Sequence, residues 1–313
     1  MSNAALTAFS GFFKEIKKLP FPEQQAAWGT AAFSFDDFGK RFPPAAIKVF
    51  CDLFGTLDKE INFDIREKLV LEVGPGFNFG VGLLAALSGA KKVFAVDAYP
   101  HPKGADHDFI LAMLASLLEE RSFFFSGIKG LSDDDFTNHF ARHVATDKAN
   151  RFHYRKDKLE LLFPYYVEKL PFKENAFDLI YTSAAFEHFL RPRQAVQEMY
   201  RVTKPGGISL HSVDLRDHRN FQKPLDFLAL SDEQWLQVFK EKNNSSYSHT
   251  NRLRSSEIVS LFEEQGFKTL KVLPMPFVTC TVKDELYRRM TDHYKKFPQD
   301  ELGILGCKYI FRK

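Results

Sequence analysis

Val70-Leu71-Glu72-Val73-Gly74-Pro75-Gly76 is the stretch on which the reading of the fold turns. Leu69 to Val73 is apolar enough for a short buried strand, Gly74 to Gly76 reads as a turn, Phe79 to Ser88 as a helix rich in small residues, and Lys92 to Val96 as a second strand. Strand, turn, helix and strand within about 30 residues make a βαβ unit, which requires a parallel sheet with helices on both faces. The glycines let backbone approach a ligand where a Cβ would collide. Asp97 ends the second strand 21 residues beyond Gly76, with Ala98 after it. In a doubly wound sheet the carboxyl ends of neighbouring strands border one crevice, so the turn and Asp97 are expected to serve one ligand. A carboxylate there can accept hydrogen bonds from both hydroxyls of a ribose, which fits any adenosine-containing cofactor.

Glu72 separates the candidates. A dinucleotide brings a pyrophosphate to the helix N-terminus, where a carboxylate two residues before the first glycine is a like charge. S-adenosylmethionine brings a sulfonium and an ammonium group, which Glu72 attracts directly or through water. The spacing agrees: the glycines are Gly74, Gly76 and Gly80, whereas a dinucleotide fingerprint needs glycine or alanine at Phe79.

Outward from this unit, Ala176 to Tyr181 reads as a strand and Arg193 to Val202 as a helix with Val196, Met199 and Tyr200 in its apolar stripe. Pro205-Gly206-Gly207 turns into the strand Ile208 to Val213, and the helix Ser256 to Gln265 stops at Gly266. Lys268 to Val272 and Lys308 to Phe311 supply two more strands around a helix near Asp284 to His293, and a strand near Pro164 to Val167 brings the total to seven. Residues 1–66 hold helical fragments broken by Pro20, Pro22, Pro43 and Pro44 and read as an N-terminal helical cap on a domain over 67–313. That domain carries a helical insertion at about 100–162, too long for an ordinary connection. One helix is expected from Asp106 to Arg121, and another opening at Ser132 with Asp133 to Asp135 in its first turn and Phe136, Phe140 and Val144 on one stripe. The insertion reads either as a lid or as a packing excursion.

Composition narrows the function classes. Lys plus Arg number 43 against 40 Asp plus Glu, and a net charge of +3 over 313 residues is too weak for an electrostatic grip on nucleic acid. The basic groups at Arg151 to Lys158 and Arg288-Arg289 belong to no recognisable RNA or DNA module and read as exposed faces. Cys51, Cys280 and Cys307 are odd in number and far apart, so neither a disulfide framework nor a thiolate cluster follows, and a reducing cytoplasm is the expected location. Lys14, Lys17 and Lys18 follow the first apolar residues, inverting the charge order of a secretory signal. No run reaches the roughly 18 apolar residues of a membrane span.

The motifs together resemble the class I S-adenosylmethionine-dependent methyltransferases, especially the group with a Leu-Pro-Phe element before the fourth strand. The resemblance rests on Val70 to Gly76, Val96-Asp97, Leu170-Pro171-Phe172 leading into Phe177-Asp178-Leu179-Ile180, Glu187-His188, and Lys204-Pro205-Gly206-Gly207. It covers about residues 66–215, more weakly to about 275. It implies an α/β, Rossmann-like, doubly wound seven-stranded sheet with the last strand antiparallel, Gly74, Pro75 and Gly76 under the methionine moiety, and Asp97 on the ribose. Asn78 stands where many relatives have a third glycine. Tyr166 stands where relatives often place an aspartate against the adenine amino group; it is left to stack or to donate its hydroxyl, with backbone at Val167 as the substitute contact. Backbone at Thr182 or Ser183, past the fourth strand, is expected to receive the cofactor ammonium.

Methyl transfer from a sulfonium is an in-line displacement on an activated carbon, so the protein mainly aligns the nucleophile and removes a proton where there is one. No metal is demanded. His188 is suited by its reference pKa near 6.5 to take that proton at neutral pH, or else braces its loop. His211-Ser212-Val213-Asp214-Leu215-Arg216-Asp217-His218 is unusually polar for a strand buried on both faces, so these groups need partners or face a ligand. Asp214 and His218 are the substrate-side candidates with Arg216 as orienter; an ion-pair network of Asp214, Arg216 and Asp217 is the alternative. A second polar cluster, Tyr247 to Arg254, precedes the Ser256 helix and could reach the same mouth, with solvated loop as the default reading. The acceptor is expected to be a small molecule or glycan-like, methylated at oxygen or nitrogen. The competing readings are an NAD(P)-dependent reductase or epimerase, which lacks a suitably placed Tyr-x-x-x-Lys relay, and a methyltransferase-like protein that binds without turnover.

Overall fold

A computed structural model describes residues 35–76, 79–98, 106–119, 131–241 and 250–313. The expectations for Asn78, for residues 1–34 and for residues 242–249 of the second polar cluster lie outside them. The chain divides into two units, Met1–Tyr165 and Tyr166–Lys313.

The first unit begins with helix α1 (Phe35–Ile61). Pro43 and Pro44 lie within it and do not break it, contrary to the expectation from their missing N–H groups. Ala46, Ile47, Phe50, Leu53, Phe54 and Leu57 form one buried face, and burying that face outweighs the lost hydrogen bonds. β1 (Leu69–Val73), α2 (Gly80–Leu87) and β2 (Lys92–Val96) are the βαβ unit read from the sequence. β1 and β2 are parallel, pairing Leu69 with Lys92 through Val73 with Val96. Every residue of α2 is buried, so its sequence has no polar face. α1 and the insertion helix α4 both pack against it.

The insertion supplies α3 (Asp106–Glu119), α4 (Asp133–His143), the hairpin β3 (Val144–Thr146) and β4 (Phe152–Tyr154), and β5 (Leu159–Leu162), which pairs parallel to β2. Ser132 caps α4 by accepting from the Asp135 N–H while the Asp135 carboxylate accepts from the Ser132 N–H. His139 Nδ1 lies 2.8 Å from the Leu87 carbonyl and Arg142 pairs with Glu67 at 2.6 Å, so α4 is fastened to the end of α2 as packing. The strand expected near Pro164 to Val167 is instead β5, a few residues earlier; the chain leaves the ladder at Phe163. Leu159 to Leu162 carries the apolar residues that can lie beside β2, whereas Pro164 has no N–H to donate.

The second unit contains β6 (Phe177–Ser183), a 3₁₀ turn at Phe186–His188, α5 (Pro192–Val202), β7 (Thr203–Asp214), α6 (Asp232–Glu241), α7 (Ser255–Glu264), β8 (Lys268–Pro274), α8 (Asp284–Arg289), α9 (Gln299–Leu302) and β9 (Gly306–Arg312). β6 and β7 are parallel, and β9 is antiparallel to both β7 and β8. The seven strands run in the order β5-β2-β1-β6-β7-β9-β8, which is the expected sheet with its final strand reversed. Phe262 stacks on Phe311 at 4.0 Å, and Phe186 and His211 add rings to the same core.

His211 meets the first of the two alternatives read for this polar stretch, partners rather than a ligand. It does not face a ligand: it is fully buried, with Nδ1 2.9 Å from Thr182 Oγ1 and Nε2 2.7 Å from Ser209 Oγ. The two hydroxyls supply the partners that its burial requires. Burial lowers its pKa from 6.5 to about 3. Because the folded value is depressed, the stability it contributes is complete above pH 6.5 and is lost as pH falls from 6.5 toward 3, about 2 kcal/mol by pH 5. Urea unfolding of wild type and His211→Gln at pH 7.5 and pH 5 is expected to show the steeper acid loss in wild type; equal losses would contradict this assignment.

Candidate active site

β1 reaches its carboxyl end through Glu72 and Val73, and the Gly74 N–H donates to the Val96 carbonyl at 2.9 Å, so the turn departs from the β1–β2 ladder. Gly74 and Gly76 have φ of +75° and +69°. Both are left-handed conformations that glycine adopts without a Cβ penalty. A Cβ built on Gly76 meets none of the described residues within 4 Å, so the backbone there is open toward them. The Gly76 N–H donates to Asp97 Oδ2 at 3.3 Å, which ties the turn to the end of β2. Pro75 and Ala98 are half-buried beside them. Glu72 is buried, with its carboxylate against Gly82: a Cβ on Gly82 would stand 2.8 Å from Glu72 Oε2. The first turn of α2 presents N–H groups that favour an anion there.

The sequence also nominated four residues of the second unit for the cofactor. Tyr166 is 62% exposed and Val167 is buried. Thr182 is buried with its hydroxyl committed to His211, and Ser183 sits at the last register position of β6 opposite Ser212. Ala184, with φ of +47°, then turns the chain away while its N–H donates to the Ser212 carbonyl at 2.9 Å. A residue with a Cβ in this region is held there by its surroundings. The 3₁₀ turn Phe186–His188 follows at once.

This turn and the end of β7 bring the acceptor-side candidates together. The His188 and His218 rings are 4.9 Å apart at 64°. His218 Nε2 lies 3.4 Å from Asp214 Oδ2. Arg216 grips the same carboxylate in a fork, Nε to Oδ1 at 2.8 Å and the terminal nitrogen to Oδ2 at 2.6 Å. Burial alone raises the Asp214 pKa, but the hydrogen bonds from Arg216 and His218 overcome it and hold the carboxyl well below the usual range. Asp214 is therefore a fixed negative charge that positions His218. The proposed network is only partly as expected, because Asp217 pairs with Arg219 at 2.6 Å rather than with Arg216. The ring of Phe221 lies 5.6 Å from His218 and under the Arg216 guanidinium at 4.6 Å.

Glu187 is the residue that sequence reasoning quoted in a motif without assigning to the site. Its side chain is 2% exposed; the backbone N–H groups of Glu187 and Asp214 face its carboxylate, but neither oxygen has a well-aligned hydrogen bond among the described residues. Burial raises its pKa from 4.5 to about 8. Its backbone is pinned: the Glu187 carbonyl accepts from the Asn251 N–H at 2.7 Å, and Asn251 Nδ2 donates to the Phe186 carbonyl at 2.9 Å. The described part of the second polar cluster is thus no solvated loop. Thr250, Arg252 and Arg254 are buried; Arg252 bonds the Phe227 and Leu230 carbonyls and Asp232, and Arg254 bonds the Leu215 carbonyl at 2.9 Å. Charged side chains read as surface here because the carbonyls that capture them are distant in sequence.

Among the described residues, no helix is long and apolar enough to cross a membrane. Residues 129–210 match a family model described as a methyltransferase domain. An uncharacterized protein of Methanocaldococcus jannaschii is 29% identical over 106 residues, 33% of this chain and 44% of that protein. The mitochondrial 2-methoxy-6-polyprenyl-1,4-benzoquinol methylase of Caenorhabditis elegans is 25% identical over 121 residues, 37% of this chain and 42% of that one. The crystal structure of an S-adenosylmethionine-dependent methyltransferase from Mesorhizobium loti is 12% identical, covers 90% of this chain and 100% of its own, and superposes with a TM-score of 0.41. The chain spans less than half the length of the curated relatives it matches. The glycine turn tied to Asp97 and the seven-stranded sheet with its reversed final strand agree with the methyltransferase domain matched over residues 129–210.

Proposed function

We propose that the protein transfers a methyl group from S-adenosylmethionine to a small-molecule or glycan-like acceptor at oxygen or nitrogen. The observation that supports this most directly is the left-handed Gly76, open toward the described residues where a Cβ would stand and bonded to Asp97. A ribose can lie against such backbone with its hydroxyls donating to the Asp97 carboxylate, and the negative charge of Glu72 suits the cationic methionine end. The cofactor supplies a methyl group already activated on sulfur. What remains for the chain is to orient the acceptor and take its proton. His188 and His218 are the acceptor-side groups in this reading, and Asp214 holds His218 in place. Gly74, Pro75 and Ala98 complete the cofactor assignment in the first unit.

The similarity to a benzoquinol methylase favours a second acceptor chemistry, an electron-rich ring. Incubation with deuterated-methyl S-adenosylmethionine and metabolite extract, followed by mass spectrometry, separates the two. We expect S-adenosylhomocysteine and a labelled product whose fragments place the methyl on oxygen or nitrogen. Label on ring carbon supports the second chemistry. Tight cofactor binding with no labelled product from any extract would instead support a protein that only binds.

A further inference from the structure

We propose that Glu187, His188 and His218 form a binding site for one divalent transition cation such as zinc. One donor atom from each of the three residues lies within 4.8 Å of the others. Two imidazoles and one carboxylate are a donor set for zinc, cobalt or ferrous iron rather than for magnesium or calcium, which take oxygen ligands. Bonds of about 2.0–2.2 Å at tetrahedral angles put neighbouring donors roughly 3.4 Å apart, so the three must draw inward by about an ångström. The two histidines are only half-buried and can make that movement.

Burial supplies an independent reason to expect a cation. Glu187 is almost wholly excluded from solvent, yet the backbone N–H groups of Glu187 and Asp214 that face its carboxylate form no well-aligned hydrogen bond with either oxygen. A buried carboxyl group so weakly partnered is costly, and a cation held with two imidazoles would remove that cost. Asp214, 3.4 Å from His218 and clamped by Arg216, sits where a carboxylate that orients a ligating histidine would. The elements are held firmly enough to form a site: Asn251 fixes the turn that carries Glu187 and His188, and the Asp217 N–H donates to the Pro224 carbonyl in the loop that carries His218. Three protein ligands leave at least one coordination position open. Under the methyltransferase reading, an oxygen of the acceptor would take that position; the cation site itself does not depend on that reading.

The full chain, treated with a chelator and dialysed, is titrated with zinc chloride by calorimetry, and with cobalt chloride by visible absorption. One equivalent is expected to bind with Kd below about 10 µM, giving the intense visible bands of four-coordinate cobalt. Glu187→Gln, His188→Ala and His218→Ala are each expected to weaken zinc binding at least about tenfold. His293→Ala, a surface histidine paired with Glu257, is expected to leave it unchanged. S-adenosylmethionine affinity is measured on the same samples, so loss of cofactor binding with zinc binding intact counts against the transferase reading alone. Should a variant fail to fold, X-ray absorption of the wild-type zinc complex decides the matter by whether two imidazoles coordinate the metal. Absence of stoichiometric binding, affinity unchanged in the three folded variants, or a coordination shell without imidazole would each overturn the site.

Discussion

Replacing Asp97 by alanine is expected to weaken S-adenosylmethionine binding by about 30- to 1000-fold, because two hydrogen bonds to a charged carboxylate together contribute about 2–4 kcal/mol. The same substitution removes the acceptor of the Gly76 N–H and loosens the turn. Asp97→Asn keeps the shape but not the charge and is expected to fall between. Gly76→Val attacks the other half of the contact. Its side chain would enter the space beside the turn that the described residues leave open, and φ of +69° is a conformation that a β-branched residue strongly disfavours. Calorimetry on the three variants, with thermal melting to confirm folding, measures this. Wild-type affinity in both Asp97→Ala and Gly76→Val would remove the glycine turn as the cofactor site. Retention of NADH rather than S-adenosylmethionine by wild type would restore the reductase reading.

The second large effect is on stability. Arg254 is 1% exposed, and burial pulls its pKa down from 12.5. No carboxylate pairs with it among the described residues; its guanidinium donates to the Leu215 carbonyl and, at 3.4 Å, to the Arg252 carbonyl, with the Phe227 ring 5.6 Å away. Arg254→Ala empties a large buried volume and leaves the Leu215 carbonyl short of a donor. Cavity and orphaned carbonyl together are expected to cost about 3–5 kcal/mol, a fall in Tm of about 10 °C. Arg254→Met fills most of the volume and removes a buried charge, so it is expected to lose clearly less. A melting temperature for Arg254→Ala within about 2 °C of wild type would show that the guanidinium contributes little there.

Much of the sheet was legible because its signals are local. β1, α2 and β2 follow from apolar runs interrupted by glycine, and the reversed β9 from the family pattern. The strand beside β2 was misplaced by a few residues because Pro164 to Val167 and Leu159 to Leu162 are both short apolar segments, and only pairing with β2 distinguishes them. Pro43 and Pro44 misled for a related reason: the local penalty of proline is plain in sequence, but the buried face of α1 that outweighs it depends on what packs against the helix.

The amino-acid order alone determined the glycine turn, its distance from Asp97 and the charge of Glu72, since these depend on neighbours within one βαβ unit and on elementary charge complementarity. Tertiary structure decided which polar groups are satisfied in the core and which gather as candidates for chemistry. His211 and His218 are both histidines of one polar stretch, yet His211 is satisfied by Thr182 and Ser209 inside the sheet while His218 stands with His188 and Glu187. Burial and long-range partners make that difference, and neither is written in a residue's own letter.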